Sequence, residues 1–261
     1  MAIETFPPIS TNYSNGLSPV QQSLTSGQRI NQTADDPAGQ AIVTALTAQA
    51  NQQDAATQNA LQGINAIQIA DGASDSINAG LQRLNELSIQ AQNGTLNPAD
   101  RNALNAEFQQ TLQGIDQTAQ STNYNGINLL DNQTPSLDIQ LGESASTVNL
   151  PDFTTAGLGI SGLDISNPAN AANALQTLSQ TLDQFSQQRG QFGAQQNGLT
   201  SAVENLATQN LNTLASRSQI NDTDFARAFA EQNRQRVLEE ANIALQAQSN
   251  VDRSRVLQLL A

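Results

Sequence analysis

The chain contains no cysteine, histidine, tryptophan or lysine, and all ten of its cations are arginine. Without Cys and His there is no zinc site of the usual N/S ligand set, no thiolate nucleophile and no Ser-His-Asp triad. Disulfides cannot staple the fold, so compartment is not legible from them. No apolar run approaches the ~18 residues that cross a bilayer. The opening residues, MAIETFPPISTNYSNG, lack a basic n-region and an apolar h-region, so a Sec-type signal peptide is not expected. Walker, dinucleotide-binding and HExxH motifs are missing too. An enzyme is therefore not expected, and neither is a metal or cofactor.

What is present is polar without being densely charged. Charged residues make up 13% of the 261, with a net charge of −13 and a pI near 4.1. That balance argues against nucleic acid and anionic membrane surfaces, both of which attract basic patches. Asn and Gln supply about a quarter of the chain, far above ordinary usage. Because these amides are interleaved with a regular apolar period, they read as solvated helix faces and not as a prion-like tract.

Helical periodicity dominates. Ser18 can cap a short helix with Pro19 in its first turn and Gly27 at its end, while Pro7, Pro8 and Gly16 disfavour helix before Leu17. From Gln40 to about Asn93 the stripe Ala56, Ala60, Ile64, Ile67, Ala70 is resumed by Ile77, Leu81, Leu84 and Leu87, with a break expected near Asp71-Gly72. A second helix follows Asn97 (N-cap) and Pro98, with Leu104, Phe108, Leu112 and Ile115 on one face. Over 127–165 the pattern changes. Leu137, Ile139 and Leu141, then Val148 and Leu150, alternate with polar residues and predict a β-hairpin turning at Gly142–Thr147.

From Asn167 the helical period is at its cleanest. Leu175, Leu178, Leu182, Phe185, Phe192, Leu199, Val203 and Leu206 fall on one heptad grid, with Arg189, Gln196 and Asn210 at the remaining core positions. A charge placed at Leu182 or Phe192 is expected to abolish the folded rod. The last segment, Asp224–Leu260, carries Phe225, Phe229, Val237, Val251 and Leu259, too sparse a stripe for a self-sufficient helix. The fold class expected is mainly α: an elongated antiparallel helical bundle or coiled-coil rod with a small β-hairpin region.

Two acidic pairs invite a metal reading. Asp35-Asp36 lacks a third ligand at a fixed spacing, and helix entry accounts for it. Asp222-Thr223-Asp224 reads as a cap, with Asp222 or Thr223 satisfying the free amides ahead of Phe225.

Several blocks resemble bacterial flagellin, in flagellin's order. Arg29-Ile30-Asn31 with Asp35–Gly39 is similar to the block opening that family's first long helix. Leu81–Arg83, Glu86-Leu87, Gln90-Ala91 and Asn93–Thr95 resemble the segment ending it. Tyr124–Ile127 with Leu129-Leu130 resembles the family's F-N-G-x-x-L/V-L turn, Ser216–Ala230 its return into the terminal helix, and Val256–Leu260 its last residues. The resemblance covers about residues 17–165 and 168–261.

The resemblance implies an inner terminal domain from both chain ends, residues 1–36 plus 218–261, and a helical rod domain, 37–217, carrying the hairpin at about 127–165. The outer variable domains usual in the family are missing and the N-terminus is shortened, which makes this a minimal form. It further implies an extracellular subunit that polymerises with copies of itself into the flagellar filament for motility. Its other partners would be an export chaperone at the C-terminal segment, the type III export apparatus, and the hook-associated junction and cap proteins. Arg83, Glu86, Leu87, Ile89 and Glu107 match positions used by flagellins that a vertebrate Toll-like receptor recognises; packing between subunits explains the same residues. Asn85 and Thr111 stand where recognised members often carry Arg. The alternatives are a hook–filament junction protein, or a secreted non-polymerising immune ligand or adhesin.

At −13 per copy, self-association should accelerate with added salt, which screens repulsion between subunits. Light scattering at low and high ionic strength tests this, and equal rates would contradict it.

Overall fold

The computed structural model describes residues 19–260, apart from the side chains of 253, 254 and 256–260. The Ser18 cap, the helix-disfavouring start and the shortened N-terminus lie outside the described residues, as does the Leu259 side chain.

Among the described residues there are five helices and four short strands: α1 Pro19–Ser26, α2 Pro37–Ala91, α3 Pro98–Ser121, β1 Asn123–Tyr124, β2 Ile127–Asn128, β3 Ser136–Gln140, β4 Ala145–Asn149, α4 Pro168–Asn221 and α5 Phe225–Leu260. Four of the five helices, α1 to α4, begin on a proline, which has no N–H to lose. Gly27, at φ 71°, ends α1 in the left-handed region and returns its N–H to the Ser23 carbonyl at 3.0 Å. At α3 a full capping box forms: Asn97 Oδ1 accepts from the Asp100 N–H, and Asp100 accepts from the Asn97 N–H.

The chain divides into two compact units, Met1–Gln49 with Asn212–Ala261, and Ala50–Leu211. In the second unit α2, α3 and α4 pack as an antiparallel bundle. Gln92 reaches the Ala171 carbonyl, Arg189 reaches Asp71, and Asn210 reaches Asp54, so α4 runs against α2. Arg83–Glu107 and Arg101–Ala91 give the same sense to α2 and α3.

The seam is a column with a seven-residue period. Leu178, Phe185, Phe192, Leu199 and Leu206 are buried on α4, facing Ile67, Ala70, Ile77, Leu81, Leu84 and Leu87 of α2 and Phe108, Leu112 and Ile115 of α3. Each such side chain contributes about 1.5–3 kcal/mol. The other half of the expected grid is shallower: Leu175, Leu182 and Val203 are half-buried, as are Ile64 and Leu104. The deeper flank is Ala174 and Thr181, one residue earlier, because the loop over 151–165 covers that side. There Thr181 Oγ1 donates to the Leu158 carbonyl at 3.3 Å.

The break expected at Asp71-Gly72 does not occur, since α2 is continuous through it. Arg189 spans the glycine from α4, its Nε and Nη2 donating to Asp71 Oδ1 at 2.9 and 2.8 Å and Nη1 pairing with Asp75 at 2.8 Å. One helical glycine costs only about 1 kcal/mol, less than the burial of Ala70 and Ile77 on either side returns.

The Asn125-Gly126 turn, with both residues at positive φ (51° and 80°), joins β1 to β2. In the larger hairpin Ser136 pairs with Asn149 and Gln140 with Ala145. Its turn is therefore shorter than the expected Gly142–Thr147, and the Ser144 carbonyl accepts the Leu141 N–H at 2.8 Å. Gly63 of α2 lets this hairpin approach: a Cβ there would lie 3.0 Å from Ile139 and 3.1 Å from Leu199.

The irregular stretch after β4 also belongs to the core. Phe153 is fully buried, its ring centroid 4.5 Å from that of Phe185 and 6.3 Å from that of Phe192. The polar side of α3 ties this loop down. Asp116 accepts from the Thr155 N–H and hydroxyl at 2.7 and 2.9 Å, Gln109 donates to Leu163 at 2.8 Å, and Asn105 accepts from the Ile165 N–H at 2.9 Å.

Phe153→Ala should cost about 3–5 kcal/mol, read as a lowered urea midpoint. Phe192→Asp should unfold the unit outright, whereas the half-buried Leu182 tolerates a charge better than its heptad position suggests. Equal losses at 182 and 192, or an unchanged midpoint for Phe153→Ala, would contradict this packing.

Candidate assembly site at the junction of the chain ends

The first unit is where residues about 190 positions apart in sequence meet. Gln28 and Asp222 form an antiparallel bridge, the Arg29 N–H donates to the Asn221 carbonyl at 2.6 Å, and the Thr223 N–H donates to the Gly27 carbonyl at 3.0 Å. Arg29 adds its side chain, with Nε and Nη2 on the Ile220 carbonyl at 3.1 and 2.8 Å. A guanidinium suits this place because its fork can satisfy the free carbonyls at the end of α4.

The acidic pairs act as helix-entry groups. Asp35 Oδ2 accepts the N–H groups of Asn31 and Gln32 at 3.0 and 2.9 Å. Asp36 Oδ1 accepts the Gly39 N–H at 2.8 Å, capping α2, and Arg29 stands 3.3 Å from its other oxygen. The Gly39 N–H, with help from Arg29, holds the Asp36 carboxyl below the ordinary carboxylate range. Gly39 suits this place, since a Cβ would lie 2.7 Å from the Ile30 side chain and against Asp36, and both would have to shift.

The second cap differs from expectation. Neither Asp222 nor Thr223 caps α5. Asp224, the residue directly before Phe225, accepts the Arg227 N–H at 3.1 Å. Asp222 instead takes the Ser218 hydroxyl at 2.5 Å, and Thr223 is committed to α1 through Gly27 and the Ser23 carbonyl. Between α1 and the start of α5 lies an open cleft of about 560 Å³, bounded by Val20, Ser23, Arg29, Asp224, Arg227 and Glu231.

Beyond that anchor α5 is bare. Phe225, Phe229, Val237, Leu238, Ile243, Leu245 and Val251 are each half or more exposed. No group of three or more potential metal ligands occurs among the described residues. No helix among them is long and apolar enough to cross a membrane.

A different surface carries the residues picked out on α2 and α3. Arg83 donates to Glu107 at 2.9 and 2.6 Å and to Glu86 at 3.0 Å, and those carboxylates push its guanidinium further up. Ile89 is 58% exposed. Leu87 departs from this group: it is fully buried, because it continues the Ile77-Leu81-Leu84 stripe into the core.

Sequence reasoning passed over Phe153, Ile160 and Asp116, which lie in or hold an aperiodic loop. The only available signal was the density of apolar residues between Leu150 and Ile165.

The profile of the bacterial flagellin N-terminal helical region matches residues 8–134, and that of the C-terminal helical region matches 175–260. Flagellin from Halalkalibacterium halodurans is 36% identical over 92% of this chain and 90% of its own length. The crystal structure of Bacillus cereus flagellin superposes with a TM-score of 0.51 at 30% identity, over 61% of this chain and 93% of that one. A protein assigned as flagellar hook-associated, from Vibrio parahaemolyticus, shares the fold at 13% identity, with a TM-score of 0.63 over 72% of this chain and all of that one. Matches at both ends and a relative of similar length decide the matter: the chain belongs to the bacterial flagellins, structural subunits of the flagellar filament.

Proposed function

We propose that the unit built from both chain ends is the polymerising part of this subunit and that the helical bundle forms the outer wall. The observation that carries this is the contrast between the bare apolar surface of α5 and the charge distribution. Residues 50–211 hold fourteen carboxylates against three arginines, whereas the two ends together hold nine carboxylates against seven arginines. A near-neutral, apolar element packs against copies of itself at low electrostatic cost, and an acidic one stays hydrated. The inner domain implied at 1–36 plus 218–261 is narrower than the compact unit of the two ends, 1–49 with 212–261, and assembly is assigned to the wider one.

Copies of the chain are thus the first partner. Secretion through the flagellar type III route, a chaperone covering α5 before assembly, and junction and cap proteins at the filament ends complete the scheme. The exposed Phe225–Val251 face supports a chaperone, because uncovered apolar helix aggregates. Arg83, Glu86, Ile89 and Glu107 form a surface available to a neighbouring subunit or to the Toll-like receptor, and Leu87 acts on it only from beneath.

Phe229→Asp should leave the melting of the bundle unchanged, because Phe229 is 53% exposed, while abolishing filaments seen by electron microscopy after salt addition. Long tubes from this variant would refute the assignment of α5; persistent monomers from the unmodified chain would favour a non-polymerising ligand or adhesin.

The junction should also respond to acid. A carboxyl whose folded pKa is depressed contributes fully above its unfolded value of about 3.9 and loses that contribution as pH falls through the lower folded value. The Gly39 amide resonance should therefore move only below about pH 4, and Asp36→Asn should remove the step. A midpoint at or above the ordinary aspartate value would contradict the contact.

A further inference from the structure

We infer that residues 186–198 of α4, with the turn of α2 around Gly72, form a soft level at which the bundle opens before its flanks, clasped by Arg189. Three independent features converge there.

The first is sparse burial. Over 171–185 five side chains of α4 are buried, and over 186–198 only Phe192 is. The second is glycine without steric cause. Gly63 and Gly80 lie close against neighbours, Ile139 and Ile115 respectively. At Gly190, Gly193, Gly198 and Gly72, by contrast, a Cβ would meet nothing within 4 Å. These positions carry the backbone-entropy cost of glycine in a helix with no packing reason for it. The third is polar: Gln188 Oε1 and Gln195 Oε1 are enclosed yet accept no hydrogen bond. An enclosed amide oxygen without a donor favours any opening that admits water.

The Arg189–Asp71–Asp75 cluster places Gly72 and Gly190 at one height of the bundle, so the weak turns of the two helices face each other. It is also the specific polar tie across that level. Either side of it the seams are intact, with Leu178 and Phe185 below and Leu199 and Leu206 above. The helices can part or flex here without losing those contacts. This property belongs to the single chain and does not depend on what the chain assembles into.

Hydrogen–deuterium exchange of the full-length monomer, corrected for intrinsic rates and read on peptides from both helices, tests this. Peptides from 186–198 and from around Gly72 should exchange at least tenfold faster than those from 171–185 and 77–91. Gly190→Ala with Gly193→Ala should slow exchange of the 186–198 segment about twentyfold, some four- to fivefold for each glycine replaced. Arg189→Met should accelerate exchange in α4 and equally around Gly72. Uniform protection along α4, alanines that leave the local rate unchanged, or an Arg189→Met effect confined to α4 would each overturn the inference.

Discussion

A helix 54 residues long with a mean polarity like that of α4 has little reason to persist in water alone. What holds it is the column Leu178, Phe185, Phe192, Leu199 and Leu206, repeated every seventh residue and buried against α2 and α3. Everything else in the bundle is arranged around that column. The hairpin approaches where α2 carries Gly63, the loop after β4 sends Phe153 between Phe185 and Phe192, and α3 spends its polar face holding that loop. Without the column, α4 would be an amide-rich helix with little beyond the half-buried Leu175, Leu182 and Val203 to hold against α2 and α3.

The unit formed by the two ends follows a different rule. Its order comes from main-chain carbonyls and carboxylates. Arg29 closes the end of α4, Asp36 opens α2, Asp224 opens α5, and a single β-bridge ties the two segments together. Such a junction fixes directions because hydrogen bonds are angular, yet it buries little apolar surface of its own. Ile30 and Asn221 are covered, while the length of α5 is not. A directional anchor with an uncovered apolar extension is the arrangement a polymerising subunit needs. In the assembly proposed above, the anchor persists in the monomer and the extension gains its burial from neighbours.

Much of this was legible in the sequence, for identifiable reasons. Period 3.6 placed α2, α3 and α4 to within a few residues, with Pro98 marking the start of α3, and alternation placed β3 and β4. Reading failed where no period exists. The loop holding Phe153 and Ile160 is aperiodic, so its contribution to the core was invisible, and with it the reason that Thr181 lies deeper than Leu182. The hairpin turn came out too long because Ala145, Ser146 and Thr147 look like turn residues and act as a strand. The choice of Asp222 or Thr223 as cap failed because local spacing cannot show that Thr223 is already engaged by Gly27, nearly two hundred residues away in sequence. Leu87 was placed on a surface through a resemblance, although its own stripe pointed inward.

The absence of lysine and histidine bears on both units. Each ion pair described in the chain joins Arg to a carboxylate. Arginine keeps its proton above pH 12, and carboxylates have lost theirs by about pH 5. No cationic side chain of this sequence ordinarily titrates between those limits. Repulsion between acidic bundles is just as constant over that range. Proton concentration therefore has little purchase on either the fold or the association of copies near neutrality and well into alkali. Ionic strength keeps its influence, because screening acts on carboxylates whatever the pH. A subunit exposed to a changing medium thus responds to salt and hardly to pH, a consequence of which cation the sequence uses and not of how many.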